Sequence, residues 1–329
     1  EKSYLRPDFY RSPLAMVSSK EIASAKSGAS LKRPVSDFLV IERINQCPKL
    51  ASLRSINQTL SSLLNSEESF VAQIAEVIRL DPSLTTRVLD LVNSIFFGSP
   101  DEQQVKGVEE AALFLGLNRI SELIIATPII EDIVDLGKSA KSLDWVDFWK
   151  HSIGTAILTR EILVIADFPC KDESDYVAGL LHNLGKIIMA VTFPDEFSRI
   201  YERSYKDAAE FCDSERSLLG WDHAKMGAFY LWNHHIAREI VETAQWHNDP
   251  YSAPHHPELA AAAQLGDVLV QSVGIPGIER SKPIPRENWT DIAGWGILFG
   301  EKSEKATENL MVELEQTLER VGNTLKGII

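Results

Sequence analysis

From about residue 38 onward, apolar residues recur every three or four positions and strand-like alternation is nearly absent. Phe70, Ile74, Val77 and Ile78 fall on one helical face with polar residues between them, a spacing that buries one stripe of a helix and fits neither face of a strand. The punctuation agrees. Asp81-Pro82 puts a capping side chain before a proline at the first helical position, and Gly98 follows the apolar run 84–97 as a stop. The same reading predicts helices over about 51–64, 68–79, 107–115, 118–133, 143–166, 174–190, 194–210, 222–232, 235–247, 257–273 and 303–326. The predicted fold class is all-α, a multi-helix bundle preceded by an N-terminal helical subdomain.

With 329 residues, the chain is long enough for one large or two modest domains. Residues 1–37, rich in Ser, Lys, Ala and Pro, are expected to form an extended tether. The polar break Gly137 to Ser142 divides a helical half, 38–137, from a histidine-bearing half, 138–300. Residues 301–329 carry Leu310, Leu314, Leu318 and Val321 at three- and four-residue steps among charges, and so predict a C-terminal amphipathic helix. Against 33 basic residues stand 47 acidic ones, a formal net charge of −14, which repels phosphate backbones and anionic lipid heads and argues against nucleic-acid partners. The most apolar stretch, Leu123 to Ile130, is too short to span a bilayer and contains Pro128. Three scattered cysteines, Cys47, Cys170 and Cys212, suit free thiols in a reducing compartment. The expectation is a soluble, cytoplasmic protein with no membrane segment and no disulfide.

All eight histidines lie after residue 150. His151 opens an apolar-periodic helix, His182-Asn183 sits inside Ala178-Gly-Leu-Leu-His-Asn-Leu-Gly-Lys186, His223 follows Trp221-Asp222, and His247 ends another helix. Asp267 lies in the apolar run Leu265-Gly-Asp-Val-Leu269, where a ligand or a buried hydrogen bond must offset its desolvation. Imidazoles and one carboxylate from separate helices converging in a bundle core are how such bundles assemble metal sites.

This arrangement resembles the HD superfamily of metal-dependent phosphohydrolases, whose pattern is H…HD…H…H…D over successive helices. His151 matches the first histidine, His182 the doublet histidine, His223 and His247 the later histidines, and Asp267 the last aspartate. Position 183 departs, holding Asn where the family has Asp. Upstream, the segments Glu76 to Gly98 (Glu-Val-Ile-Arg-Leu-Asp-Pro-Ser-Leu) and Ala111 to Ile120 (Ala-Ala-Leu-Phe-Leu-Gly-Leu-Asn-Arg-Ile) are similar to the signature of the HDOD branch, the HD-related output domains of bacterial signalling proteins. The resemblance covers about residues 40–270 and implies that 138–300 folds as an HD-like helical half.

In active relatives the doublet aspartate bridges two ions, a task beyond a neutral amide, so Asn183 speaks against a binuclear centre. One divalent ion, zinc, iron or manganese, could be held by His151, His182 and Asp267, with Asn183 supplying an oxygen or a supporting hydrogen bond. His223 and His247 would form a second site only with the bridging group that is missing, and are read first as packed structural histidines. Lys186, three residues after Asn183 on nearly the same helical face, could steady a substrate phosphate and matches a lysine of active relatives, but an ion pair with an acidic neighbour at the surface is the reading favoured for it.

The resemblance thus implies a bacterial signal-transduction output module that contacts signalling proteins and lacks phosphohydrolase turnover. The alternative is a single-metal phosphohydrolase or phosphodiesterase acting on a nucleotide or cyclic dinucleotide, with Asn183 and Lys186 in catalytic roles. A third reading is a sensor pocket for a metal or small ligand. The oligomeric state stays open. His234, His235, His255 and His256 are assigned to solvated or capping roles, with His255-His256 the candidate exposed metal scavenger. Asn93-Ser94 is read as helix-terminal hydrogen bonding, and the seven tryptophans as core fillers of the second half.

Overall fold

The computed structural model describes residues 34–47, 52–66, 70–96, 104–125, 145–275 and 283–326. Among them are fifteen α-helices and no strand, in agreement with the helical period. In chain order they are α1 (Asp37–Asn45), α2 (Arg54–Leu64), α3 (Val71–Ile78), α4 (Pro82–Phe96), α5 (Val108–Ile125), α6 (Trp145–Ile165), α7 (Ser174–Leu181), α8 (Leu184–Thr192), α9 (Pro194–Tyr201), α10 (Ala208–Leu219), α11 (His223–Asn233), α12 (Arg238–Trp246), α13 (Pro257–Val270), α14 (Ala293–Phe299) and α15 (Glu304–Leu325). No helix among the described residues is long and apolar enough to cross a membrane. The three cysteines are free thiols.

Helix α6 is the axis of the second half. Most of its length is buried, from Trp145 and Phe148 to Ile162 and Leu163, and the charged Lys150, Arg160 and Glu161 lie on what remains partly exposed. Helices α7, α13 and α15 pack directly on it. Two crossings are unusually close, because a Cβ on Gly179 of α7 would lie 2.8 Å from the Ala156 Cα, and one on Gly266 of α13 would lie 3.2 Å from the Thr155 carbonyl. Residues flanking those crossings, His151, His182 and Asp267, are thereby drawn toward one another.

Asp81 ties the first half to this axis. It caps α4, its Oδ1 accepting from the backbone N–H of Ser83 (2.8 Å) and Leu84 (2.9 Å). Its Oδ2 accepts from Ser52 Oγ at 2.5 Å and from Trp149 Nε1 of α6 at 3.1 Å. Burial pushes this carboxyl up from its ordinary value, while the donors around it oppose the shift. Nearby, Arg79 binds Glu173 at 2.5 Å. Asn93 donates to the Val105 carbonyl at 3.0 Å and the His235 carbonyl at 3.1 Å, so its bonds bridge distant segments and are not the helix-terminal ones expected.

Other differences have local causes. The span 174–190 is not one helix but α7 and α8, broken at His182-Asn183, where Asn183 leaves helical geometry (φ −101°, ψ 11°). The span 194–210 likewise separates into α9 and α10, because Asp207 caps a new helix by accepting from Glu210 N at 2.9 Å. Helix α5 runs to Ile125 through a kink at Gly116, whose φ of 72° only glycine adopts at little cost. Within the stretch read as a tether, Val35 donates to the Leu218 carbonyl, and Asp37 opens α1 and accepts from Trp221 Nε1 at 3.0 Å. Residues 1–33 and the polar break 137–142 lie outside the described residues. Helix α14 and the 3-10 turn Arg286–Asp291 carry no period that predicts them. Five tryptophans are buried, while Trp232 and Trp246 are only partly so.

Helices α8 and α11 cross at Gly185 and Gly227, where a Cβ on Gly185 would lie 1.8 Å from the His223 carbonyl oxygen. No rotamer relieves a clash between backbones. Gly185→Ala is therefore expected to destabilise the fold by about 3 kcal/mol in a urea melt, and an unchanged midpoint would contradict this crossing.

Candidate functional site

Four imidazoles line the seam between α6, α7, α11 and α12. Their rings form a chain, with centroids 6.1 Å apart for His151 and His182, 5.1 Å for His182 and His247, and 5.5 Å for His247 and His223. A carboxylate stands at each end, Asp267 beside His151 and His182, and Glu215 beside His223. All six residues are buried.

At the first end, His151 Nε2 donates to Asp267 Oδ1 at 2.6 Å, and His182 Nε2 stands 3.1 Å from the same oxygen. His182 Nδ1 donates to the Gly179 carbonyl at 2.6 Å, which leaves the Nε2 lone pair facing the pocket. Asn183 Nδ2 donates to that nitrogen at 2.6 Å and reaches Asp267 Oδ1 at 3.4 Å. The Asn183 side chain is thus committed to the pocket and makes no cap bond to α8. Burial alone would raise the Asp267 carboxyl, but the hydrogen bond from His151 holds it well below the usual carboxylate range.

At the far end, Glu215 Oε2 accepts from His223 Nδ1 at 2.7 Å and from its backbone N–H at 2.9 Å. His247 Nδ1 donates to the Ala244 carbonyl at 3.0 Å. Burial, then the neighbouring His182 and His223, hold His247 well below its ordinary value and so neutral. Asn248 Nδ2 lies between the two rings, 2.9 Å from His247 Nε2 and 3.5 Å from His223 Nε2.

Of the residues read from sequence, His151, His182 and Asp267 converge, their ligand atoms within 4.8 Å of one another. Two imidazoles and a carboxylate fit one divalent ion, and the buried Asn183 Oδ1, which has no hydrogen-bond partner, offers a further oxygen. His223 and His247 join the ring chain, but no carboxylate lies between them to bridge ions. Lys186 is a correction. It is not at the surface but 1% exposed, its Nζ lying 5.3 Å from the centre of the Phe211 ring, because α8 turns it toward α10.

Sequence reading missed Glu215, Cys212 and Asn248. Cys212, Glu215 and His223 form a second buried group with ligand-capable atoms, although burial pushes the Cys212 thiol up and so disfavours a thiolate. The signal for Glu215 was its place on the inward face of α10 with Phe211, Cys212 and Leu219. His234 and His235 both face Asp90, at 3.0 and 3.1 Å. His255 contacts Arg238, and the backbone N–H groups of His255 and His256 are held by Glu242. Among the described residues no metal-capable group of three includes either histidine of that pair.

The model of the HDOD domain family matches residues 50–250, more than half of the chain. A curated uncharacterized protein of Treponema pallidum is 25% identical over 227 residues, 67% of this chain and 40% of its own length; the chain thus spans about two fifths of that relative. Among solved structures, a virulence factor of Campylobacter jejuni aligns with a TM-score of 0.62 at 17% identity, over 86% of this chain and 96% of its own. The MmoQ response regulator of Methylococcus capsulatus aligns at 0.59 and 18%, over 80% and 98%. An HDOD protein of unknown function from Geobacter sulfurreducens aligns at 0.52 and 22%, over 89% and 97%. At these identities the likeness establishes the helical fold.

Asp267→Asn is expected to lower the unfolding free energy by about 3 kcal/mol near neutral pH, because the buried His151 loses its charged partner. The folded carboxyl titrates well below 3.8, so its contribution is complete above that value and is lost as pH falls through the folded one. Urea melts should show the gap between wild type and variant narrowing only below about pH 4. A gap that does not narrow in acid would contradict the ion-paired geometry.

Proposed function

The chain belongs to the HDOD family, and from that premise we propose that it is a bacterial signalling module that works through protein contacts without phosphohydrolase turnover. The observation that carries this reading is the geometry at Asn183. The position that supplies a bridging anion in the resembling hydrolases holds an amide here, and that amide donates to His182 Nε2. Two divalent ions would then have only Asp267 as an anionic ligand at the His151 and His182 end, while Glu215 is committed to His223. Paired hard cations need more negative oxygen than that.

Residues 38–137 would present the interaction surface and 138–300 the HD-like core. Phe70 and Leu113, 69% and 67% exposed, support the first assignment, since large apolar side chains left in water suit a protein partner. The family membership and the response-regulator relative support a signalling role. The acidic balance suits protein partners over polyanions, and a cytoplasmic setting accords with the free thiols.

A second reading, a single-metal phosphohydrolase acting on a nucleotide or cyclic dinucleotide, draws on the convergence of His151, His182 and Asp267. An ion held there would act as a Lewis acid on a phosphoryl oxygen. The chain's own residues would orient it, since the Gly179 carbonyl fixes the His182 tautomer and Asp267 balances the charge. Lys186, buried against Phe211, is placed to add positive potential to the pocket more than to grip a solvated phosphate.

A phosphodiesterase and nucleotidase panel with added Mn²⁺, Fe²⁺ or Mg²⁺ separates the two. The expected outcome is turnover indistinguishable from that of His182→Ala. Robust turnover abolished in that variant would overturn the signalling reading, and elemental analysis showing one ion per chain would favour the second.

A further inference from the structure

The two histidines in the middle of the ring chain belong to matching dipeptides. His182-Asn183 follows α7 and His247-Asn248 follows α12, each histidine standing at its helix's C-cap. In both, the ring Nδ1 donates to the carbonyl three residues back, Gly179 or Ala244. In both, the Asn Nδ2 then donates to the Nε2 of the histidine before it, at 2.6 and 2.9 Å. Each amide also reaches one further acceptor, Asp267 Oδ1 at 3.4 Å for Asn183 and His223 Nε2 at 3.5 Å for Asn248.

The sets differ in charge. At Asn183 the carboxylate of Asp267 is at hand, and a cation has an anion to bind. At Asn248 no carboxylate is at hand, and the atoms facing its amide are the Nε2 nitrogens of His223 and His247, whose Nδ1 atoms face Glu215 and the Ala244 carbonyl. An amide donor that points between two ring nitrogens stands where a metal ion would stand. Asn248 is also held from behind. Its carbonyl accepts from Gln264 Nε2 at 3.2 Å, and Gln264 Oε1 in turn accepts from Gly294 N at 2.8 Å. Gln264 lies one turn before Asp267 on α13, so the helix that supplies the carboxylate also holds the backbone at Asn248. Asn248 is half-buried whereas all four histidines are buried.

We propose that Asn248 is a positioning residue whose amide closes the His223/His247 imidazole pair against divalent transition-metal ions. Removing the amide should therefore expose a metal site that the wild-type chain conceals. This deepens the reading of a non-hydrolytic pocket, and because binding is measured and not turnover, either claim can fail without the other.

The experiment is a Co²⁺ titration of the full chain, followed by visible absorption and by thermal shift. Asn248→Ala, which takes away the donor without adding charge, is expected to bind Co²⁺ at least tenfold more tightly than wild type, with new d–d bands. Asn248→Asp should bind more tightly still. Both gains should vanish when His223→Ala is added. A gain in Asn248→Asp with none in Asn248→Ala would assign the effect to charge alone and overturn the closure. If the variants fail to fold, ¹⁵N-histidine spectra of chelator-treated wild type decide. The His223 and His247 Nε2 resonances are expected to be unprotonated and unmoved by equimolar Zn²⁺, and a metal-induced shift of both would overturn the proposal.

Discussion

The near-contact of backbone with backbone along α6 governs the pocket. Where Gly179 and Gly266 face Ala156 and Thr155, α7 and α13 come so close that an added Cβ would crowd the α6 backbone, at 2.8 and 3.2 Å. Three polar groups one turn or less from those crossings are then forced together inside an apolar bundle. Bringing them there is unfavourable unless they satisfy one another, since an isolated buried carboxylate is far costlier than a paired one. Asp267 answers by sitting against His151 and His182, and the rest of the ring chain extends the same solution toward Glu215.

That solution recruits two side-chain amides. Asn183 and Asn248 each turn an N–H toward an imidazole nitrogen, so the two central histidines find partners within the chain. The buried hydrogen bonds specify one arrangement of α6, α7, α11, α12 and α13. They also explain why α8 begins without a side-chain cap, since the residue at its N-cap faces inward.

Much of the fold could be read from residue spacing, because burial of one stripe imposes the 3.6-residue period on every packed helix. The Asp81-Pro82 start of α4 and the extents of α6, α13 and α15 follow from caps and period alone. The breaks did not follow. His182-Asn183 looks like helix interior in sequence, but in the fold the Asn183 side chain turns inward to His182 and to Asp267, eighty-odd positions away, where α7 ends. Lys186 read as a surface cation because nothing in its neighbourhood of the chain announces Phe211, which α10 brings across it.

By itself, the order of residues determined that this chain is helical, that its histidines gather in one half, and that an amide replaces an acid at position 183. Those are properties of identity and local period. Tertiary structure decided which carboxylate meets which imidazole, that Glu215 closes the far end, and that Asn248 lies between two rings. Such pairings depend on where helices distant in sequence cross, and crossing geometry is set by packing across the whole bundle, which no local window contains.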